Sequence, residues 1–194
     1  MRWDKLFDDL ESQLERELSA EELDLGAEEE RLRLGRLTLR DRIVALAETD
    51  EFAIWFGDGE RLRVKPVTMG RDWFSADLIE QSARRRQCLV PLSAIVGVSV
   101  ASGSVARSLE RGSADEAHPA LAGRLGFGFV LRDLCRRRRA VELVLATSTL
   151  HGTIDRVGRD HLDLAMHEPG VARRESAVRE VRIVALAGLR FVRL

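Results

Sequence analysis

Two runs of consecutive arginines are the residues whose type and spacing most directly suggest a chemistry. The runs consist of Arg84, Arg85 and Arg86, and of Arg136, Arg137, Arg138 and Arg139. Adjacent guanidinium groups repel one another, so each run needs water, carboxylates or another anion close by. Three interpretations stay open: contact with the phosphates of a nucleic acid, ion pairs within or between subunits, and plain solvation.

An aromatic side chain could add base stacking to such a phosphate site, because every base offers a flat face to an aromatic ring. The chain has three tryptophans. Trp55 adjoins a run of predicted core positions, and Trp3 lies on the apolar stripe of a predicted helix. Trp73 is therefore the tryptophan that we add to the candidate nucleic-acid-binding residues.

Side chains that could support catalysis or metal binding are present, but they form no familiar arrangement. His151, His161 and His167 lie in or beside predicted strands, where isolated histidines usually have structural roles. Turn bracing and a solvated strand face explain Asp160 and Asp163 more simply than acid–base chemistry does. The sequence contains no nucleophile motif, phosphate-binding loop or paired carboxylates. We therefore predict a non-enzymatic protein with no catalytic residue, metal or cofactor.

The strands that would position these residues follow from an internal repeat. Residues 62–78 read LRVKPVTMGRDWFSADL, and residues 150–166 read LHGTIDRVGRDHLDLAM. In each copy an alternating apolar run reaches a Gly-Arg-Asp triplet and alternation then resumes, which predicts a strand, a tight turn and a second strand. Glycine would supply a positive φ, and aspartate would supply a turn hydrogen bond. The predicted structural turn residues are Gly70, Asp72, Gly158 and Asp160.

Periodicity around the repeat predicts the rest of the fold. Apolar spacings near four in residues 27–47 and 119–134 indicate helices, and alternation with a period of two follows each helix. About five short strands fit each alternating region. Residues 102–118 are rich in Ser, Gly, Ala and charge, which is typical of a linker. We therefore predict a duplicated α+β protein, mainly β, in which each copy is a helix followed by five strands.

The amino-terminal segment differs from the rest of the chain in charge. Residues 1–30 carry 3 basic and 12 acidic groups, whereas the remainder carries 28 and 20. An apolar stripe recurs at helical spacing through Trp3, Phe7, Leu10 and Leu14. This pattern predicts an acidic amphipathic helix in residues 1–29, which could dock on the protein's own strands or on another copy. A tethered anionic segment could also fold back and shield the basic surface from nucleic acid.

The repeated segment also carries a resemblance to a known family. The pattern G-x-φ-x-x-φ-x-x-D-x-φ-x-φ (φ apolar), which begins here with GTIDRVGRDHL at residue 152, resembles the central motif of Sm and Sm-like small β-barrels. In that family the aspartate matched by Asp72 and Asp160 braces the turn, and an asparagine contacts a bound base. This chain contains no asparagine, so the resemblance implies the fold more directly than it implies an RNA site.

The resemblance implies two tandem helix-plus-five-strand Sm-like small barrels preceded by the acidic amphipathic helix. The predicted domains are the helix at 1–29, a first barrel at 30–101, a linker at 102–118 and a second barrel at 119–194. The chain also resembles an uncharacterised actinobacterial protein type that begins, as here, with MRWD-x-L-F-x-D-L-E. That second resemblance brings no known activity.

Composition indicates the compartment and the classes of partner. No apolar run is long enough to span a membrane, and the first residues lack the apolar segment of a signal peptide, so we expect a cytoplasmic protein with no membrane partner. Cys88 and Cys135 form no CxxC pair, so we expect neither a disulfide nor a zinc site. The expected function is a non-enzymatic nucleic-acid-binding or regulatory module, with RNA favoured over DNA. The alternative is a protein–protein interaction or scaffold protein whose partners are other proteins or copies of itself.

Overall fold

The chain divides into two compact units, Met1–Leu39 and Arg40–Leu194. The computed structural model describes residue 13 and residues 25–47, 51–79, 86–110, 121–171 and 173–194. In the first unit, residues 25–36 form a helix, α1. Arg33 and Glu30 pair on this helix at 2.6 Å, one turn apart. Most of the predicted acidic helix at 1–29 lies outside the described residues.

Within the described ranges, four further helices and ten strands follow α1. The helices are α2 (Leu39–Ala47), α3 (Ser104–Leu109), α4 (Leu121–Arg124) and α5 (Phe127–Arg136). The first five strands, called the first half below, are β1 (Phe52–Phe56), β2 (Arg61–Met69), β3 (Trp73–Leu78), β4 (Gln87–Pro91) and β5 (Ile95–Ser99). The second half comprises β6 (Ala140–Leu145), β7 (Thr149–Val157), β8 (His161–Met166), β9 (Glu180–Ala185) and β10 (Leu189–Arg193).

The prediction of two tandem Sm-like small barrels is wrong. The ten strands form one open antiparallel sheet in the order β5-β1-β2-β3-β4-β10-β6-β7-β8-β9. At the junction of β4 with β10, Leu89 pairs with Val192 and Cys88 with Arg193. Alternation along a strand indicates which face is buried, but a closed barrel and an extended sheet both satisfy it. Pairing between residues far apart in the chain decides between them, and periodicity does not encode that pairing.

Both halves have the same internal strand order, which is fifth, first, second, third, fourth. Their Gly-Arg-Asp turns also have the same pattern of hydrogen bonds. The amides of Gly70 and Gly158 each donate a hydrogen bond of 2.8 Å to the carbonyl of the residue three positions later in the chain. The carbonyls of Asp72 and Asp160 accept the amides of Leu92 and Leu186 at 2.9 and 2.8 Å. The repeated sequence therefore folds into matching turns that lie on one sheet.

The buried side chains form two clusters, and each cluster draws on both halves. Core one contains Ile43 and Leu46 of α2 with apolar residues of the first half, together with Val144 of β6 and Phe191 of β10. Core two contains the apolar face of α5 with residues of the second half, together with Trp73 of β3 and Leu89 of β4. Since each half contributes to the other's core, residues 40–194 form a single compact unit.

The segment predicted as a linker is helical in part. Within 102–118, α3 places Ser108 in a buried position, where its hydroxyl accepts a hydrogen bond of 2.7 Å from Arg42 of α2. Residues 111–118 lie outside the described residues, and the predicted domain boundaries stay a prediction. No helix in the described part of the chain is both long and apolar enough to cross a membrane.

Candidate nucleic-acid interface

The first Gly-Arg-Asp turn holds the chain at the start of α5. The carbonyl of Leu125, just before α5, accepts the amide of Arg71 at 3.0 Å and the indole Nε1 of Trp73 at 2.9 Å. A carboxylate oxygen of Asp72 accepts the amide of Phe127 at 2.7 Å. This aspartate therefore braces the first turn of α5 rather than its own turn. Three hydrogen bonds thus fix α5 to the first half of the sheet.

Two glycines at the start of α5 each lie next to a guanidinium group, and the first of them leaves room that a side chain would fill. A Cβ added at Gly126 would lie 2.7 Å from Nη2 of Arg71, and one added at Gly128 would lie 3.9 Å from Nη2 of Arg132. Gly126 precedes α5 and provides no side-chain cap for its amides. The two arginines, which are 61 positions apart in the sequence, therefore both reach the start of this helix.

A cleft of about 640 Å³ opens at this point, and a third arginine lines it. Arg159 of the second Gly-Arg-Asp triplet lines this cleft together with Arg71, its counterpart in the first triplet, and with Arg132. Among the described residues that line the cleft, the single carboxylate is that of Asp72, which accepts the Phe127 amide and lies 3.9 Å from Nη2 of Arg71. The cleft therefore has an excess of positive charge contributed by three separate parts of the chain.

The exposed side of α5 continues this charge away from the cleft. Its opposite side is buried through Phe127, Leu131 and Leu134. Arg132 and Arg136 are four residues apart, so their side chains are neighbours on the exposed side, with Cβ atoms roughly 5–6 Å apart. A row of basic groups thus runs from the cleft to the end of α5.

Two arginines of the predicted run share one carboxylate at the end of α5. Asp133 accepts hydrogen bonds from Arg136 at 2.5 Å and from Arg137 at 2.6 Å. Both bonds lower the pKa of the Asp133 carboxyl below its ordinary value, and the bond from Arg136 is the larger cause. The side chains of Arg136 and Arg137 are still 77% and 66% exposed. One carboxylate cannot neutralise both, so a positive charge is left at the surface.

Arg138 ends α5 in a backbone conformation that usually belongs to glycine. Its φ is 52°, and it is the one non-glycine residue with positive φ among the described residues. The amide of Arg138 donates to the Cys135 carbonyl at 3.0 Å, and that of Arg139 donates to the Leu134 carbonyl at 3.2 Å. This is the Schellman pattern, in which the left-handed position costs a non-glycine residue about 1 kcal/mol.

Asp155 of β7 links Arg138 to a more distant arginine. Its two carboxylate oxygens accept Arg138 at 2.7 Å and Arg173 at 2.6 Å. The hydrogen bond from Arg173 is the main cause that lowers the pKa of the Asp155 carboxyl. Arg139 makes no ion pair with any described residue. Five exposed or partly exposed arginines therefore surround two aspartates at this end of α5.

The other predicted arginine run does not join this surface in the part of the chain that is described. Arg84 and Arg85 lie outside the described residues. Arg86 is exposed and immediately precedes β4, whereas Pro91 at the other end of β4 lines the cleft. A strand advances about 3.4 Å per residue, so the length of β4 separates Arg86 from the cleft.

Trp73 lies in the interior rather than at the surface. The residue is 5% exposed, it belongs to core two, and its indole donates to the Leu125 carbonyl. A ring in this position supports the start of α5, and we leave it out of the interface. Sequence reasoning missed Arg71, Arg132 and Arg159, although the repeated Gly-Arg-Asp triplet already contains two of them.

A scan against protein-family models and searches of curated proteins and solved structures found nothing that matches this chain. No group of three or more His, Cys, Asp or Glu side chains in the described ranges could hold a metal ion. The charged groups along this surface are mainly guanidinium groups, which bind phosphate and carboxylate oxygens through paired N–H donors.

Proposed function

We propose that this protein is a non-enzymatic nucleic-acid-binding module that holds a phosphate backbone along α5. The observation that carries the proposal is the meeting of Arg71, Arg132 and Arg159 in one cleft. Exposed like charges gathered from three parts of a fold repel one another modestly in water, and a bound anion offsets that repulsion. A polyanion fits best, because the basic row extends past the cleft to the arginines around Asp133 and Asp155.

The same surface favours contact with the backbone over reading of a sequence. Arginine contacts to phosphates position a nucleic acid and account for most non-specific affinity. The cleft and the row along α5 belong to the second unit, so the charge does not depend on residues 1–39. RNA is the nucleic acid used in the tests below, although backbone contacts of this kind would also form with DNA.

Binding across a salt series tests this proposal. We expect the double variant R132A/R159A to bind labelled RNA more weakly and to lower the slope of log affinity against log salt by about two, one for each lost phosphate contact. The matched control is R63A/R182A, which removes the same charge from β2 and β9. Equal losses in both double variants, or no binding by the wild type at low salt, would contradict the proposal.

A second candidate function is a scaffold that associates with copies of itself, and a different observation favours it. Each of the two outer strands, β5 and β9, has a neighbour on one side only in the described sheet. In the repeat β5 corresponds to β10, and β9 corresponds to β4. The strands β10 and β4 pair with each other inside the chain. On β9, Val181 and Ile183 are 54% and 72% exposed. An open edge with apolar side chains favours strand pairing with another chain.

Size measurements separate this candidate from the first. A lysine on an edge strand opposes edge-to-edge pairing. We therefore expect wild-type protein to form oligomers by light scattering, I183K to dissociate them, and the control V105K on α3 to leave them intact. Wild-type protein that stays monomeric at high concentration would contradict the scaffold function and leave the nucleic-acid proposal in place.

A further inference from the structure

Phe129 on α5 is exposed and lines the cleft that contains the three arginines. The other phenylalanine of this helix, Phe127, is buried, whereas Phe129 is 54% exposed. A single exposed apolar side chain is ordinary on a protein surface. The location of Phe129 is what calls for an explanation, because this residue lines the same cleft as Arg71, Arg132 and Arg159.

The surroundings of Phe129 leave its ring accessible. Gly128 beside it has no side chain, and Gly126 lies one turn earlier. Arg132 is three residues on, so its guanidinium belongs to the same side of α5 as the ring. Apolar residues from the second half, Leu186 and Ala187, also line the cleft. The cleft therefore joins an apolar, aromatic surface to three cationic groups.

This combination matches one nucleotide unit, which has a flat apolar face on the base and an anionic phosphate on each side. The volume of about 640 Å³ lies within the range of small-ligand pockets, which is roughly 300–1,000 Å³. A base in a duplex is stacked between its neighbours and cannot reach an aromatic side chain without leaving the helix. A base in a single strand is free to do so.

We propose that the cleft binds an unpaired nucleotide of a single-stranded nucleic acid, with the base stacked on Phe129 and the flanking phosphates held by Arg71, Arg132 and Arg159. This inference rests on the proposed function and deepens it, because it names the form of nucleic acid that the α5 surface prefers. Stacking on one aromatic ring strengthens binding by about 1–3 kcal/mol per base, which is about fivefold to more than a hundredfold in affinity.

The test compares single-stranded oligouridine with a blunt-ended RNA hairpin whose loop is a non-nucleotide linker, so that the hairpin has no unpaired base. Both RNAs are labelled and of equal length, and binding to the full chain is measured by fluorescence anisotropy. We expect F129L to weaken binding of oligouridine at least about fivefold and to leave hairpin binding unchanged. We expect F129W, which keeps an aromatic face, to retain the single-strand affinity. L121A removes an exposed apolar side chain outside the cleft and serves as the matched control. Thermal unfolding checks that each variant is folded.

The outcomes separate this inference from the proposed function. If R132A/R159A weakens binding of both RNAs while F129L changes neither, or changes both equally, the nucleotide site is overturned and the proposed function stands. If wild-type protein binds neither RNA, the proposed function fails and the inference fails with it. Fluorescence of F129W gives a second readout: stacking should quench the new tryptophan with oligouridine and not with the hairpin, and equal quenching would overturn the inference.

Discussion

Arg138 combines an unfavourable backbone conformation with a charged side chain, so the two contributions can be separated by substitution. R138G removes the left-handed strain of about 1 kcal/mol and also removes a surface ion pair with Asp155 that contributes about 0–1 kcal/mol. We expect its free energy of unfolding to equal or exceed the wild type by up to about 1 kcal/mol, while RNA affinity falls. Urea unfolding and fluorescence anisotropy measure the two effects.

R138K is the matched control, because it keeps both the charge and the strain. We expect it to retain wild-type stability and most of the RNA affinity. If R138G instead lowered the free energy of unfolding by more than about 1 kcal/mol, the ion pair with Asp155 would outweigh the backbone strain, and Arg138 would be a structural residue.

His151 provides a second prediction at the scale of single residues. Both of its ring nitrogens are buried and lack a hydrogen-bond partner, and its ring meets that of His167 edge to face at a centroid distance of 5.4 Å. Burial, and then the neighbouring His167, lower the pKa of His151 below 6.5, whereas the carboxylates of Glu142 and Glu168 oppose this shift. The folded protein therefore disfavours protonation of His151.

The sign of the resulting pH dependence follows from that direction. The unfolded chain takes up a proton near pH 6.5 and the folded chain only at lower pH, so the contribution of His151 to stability is present above 6.5 and is lost on acidification below it. We expect H151F to reduce this acid-induced loss and to keep the unfolding free energy at pH 7 within about 1 kcal/mol of the wild type, or above it. Urea unfolding at several pH values measures both. H161Q is the exposed control, and an identical pH slope in H151F and the wild type would contradict the prediction.

At the scale of elements, the Gly-Arg-Asp turns need glycine for a reason that the sequence did not indicate. Neither Gly70 nor Gly158 has a positive φ; among the described glycines, those with positive φ are Gly59 and Gly170. A ring lies over each triplet glycine instead. A Cβ at Gly70 would lie 2.1 Å from Nε1 of Trp73, and one at Gly158 would lie 2.5 Å from Cε1 of His161.

The two glycines therefore differ in their tolerance of alanine. Trp73 is buried and hydrogen-bonded to Leu125, so it cannot move aside, whereas the side chain of His161 is 49% exposed and can. We expect G70A to lower the free energy of unfolding by about 1–3 kcal/mol, as overpacking does, and G158A to lower it by less than about 1 kcal/mol. Chemical denaturation of the two variants side by side gives the comparison. Equal losses would show that the backbone, rather than the ring, requires glycine.

The alternating pattern around each triplet indicated strands where β2, β3, β7 and β8 occur. The cleft could not be predicted in the same way. Arg71 and Arg159 come from equivalent turns, but their meeting with Arg132 depends on the bonds from the first turn to Leu125 and Phe127. Those bonds connect residues more than fifty positions apart, and a pattern with a period of two or four contains no information about them.

At the scale of the whole molecule, the open ten-stranded sheet depends on contacts that cross from one half to the other. Arg190 of β10 is 8% exposed. It forms ion pairs with Asp58 and, at 2.7 Å, with Glu60, and both acids lie in the turn between β1 and β2 of the first half. It also donates to the Ala146 carbonyl between β6 and β7 at 2.8 Å. Arg190 therefore joins a turn of the first half to a turn of the second.

These contacts lead us to expect that residues 40–194 unfold in one transition, rather than as two domains. Trp55 on β1 and Trp73 in core two both lie within residues 40–194, so their fluorescence reports on both cores, whereas far-UV circular dichroism reports on the whole chain. We expect the two probes to give coincident urea transitions.

R190L should shift both transitions together and lower the free energy of unfolding by about 2 kcal/mol, since it removes hydrogen bonds to charged groups. R182L removes an exposed pair with Glu180 and should cost less than about 0.5 kcal/mol. Separate midpoints for the two probes in the wild type would contradict a single transition.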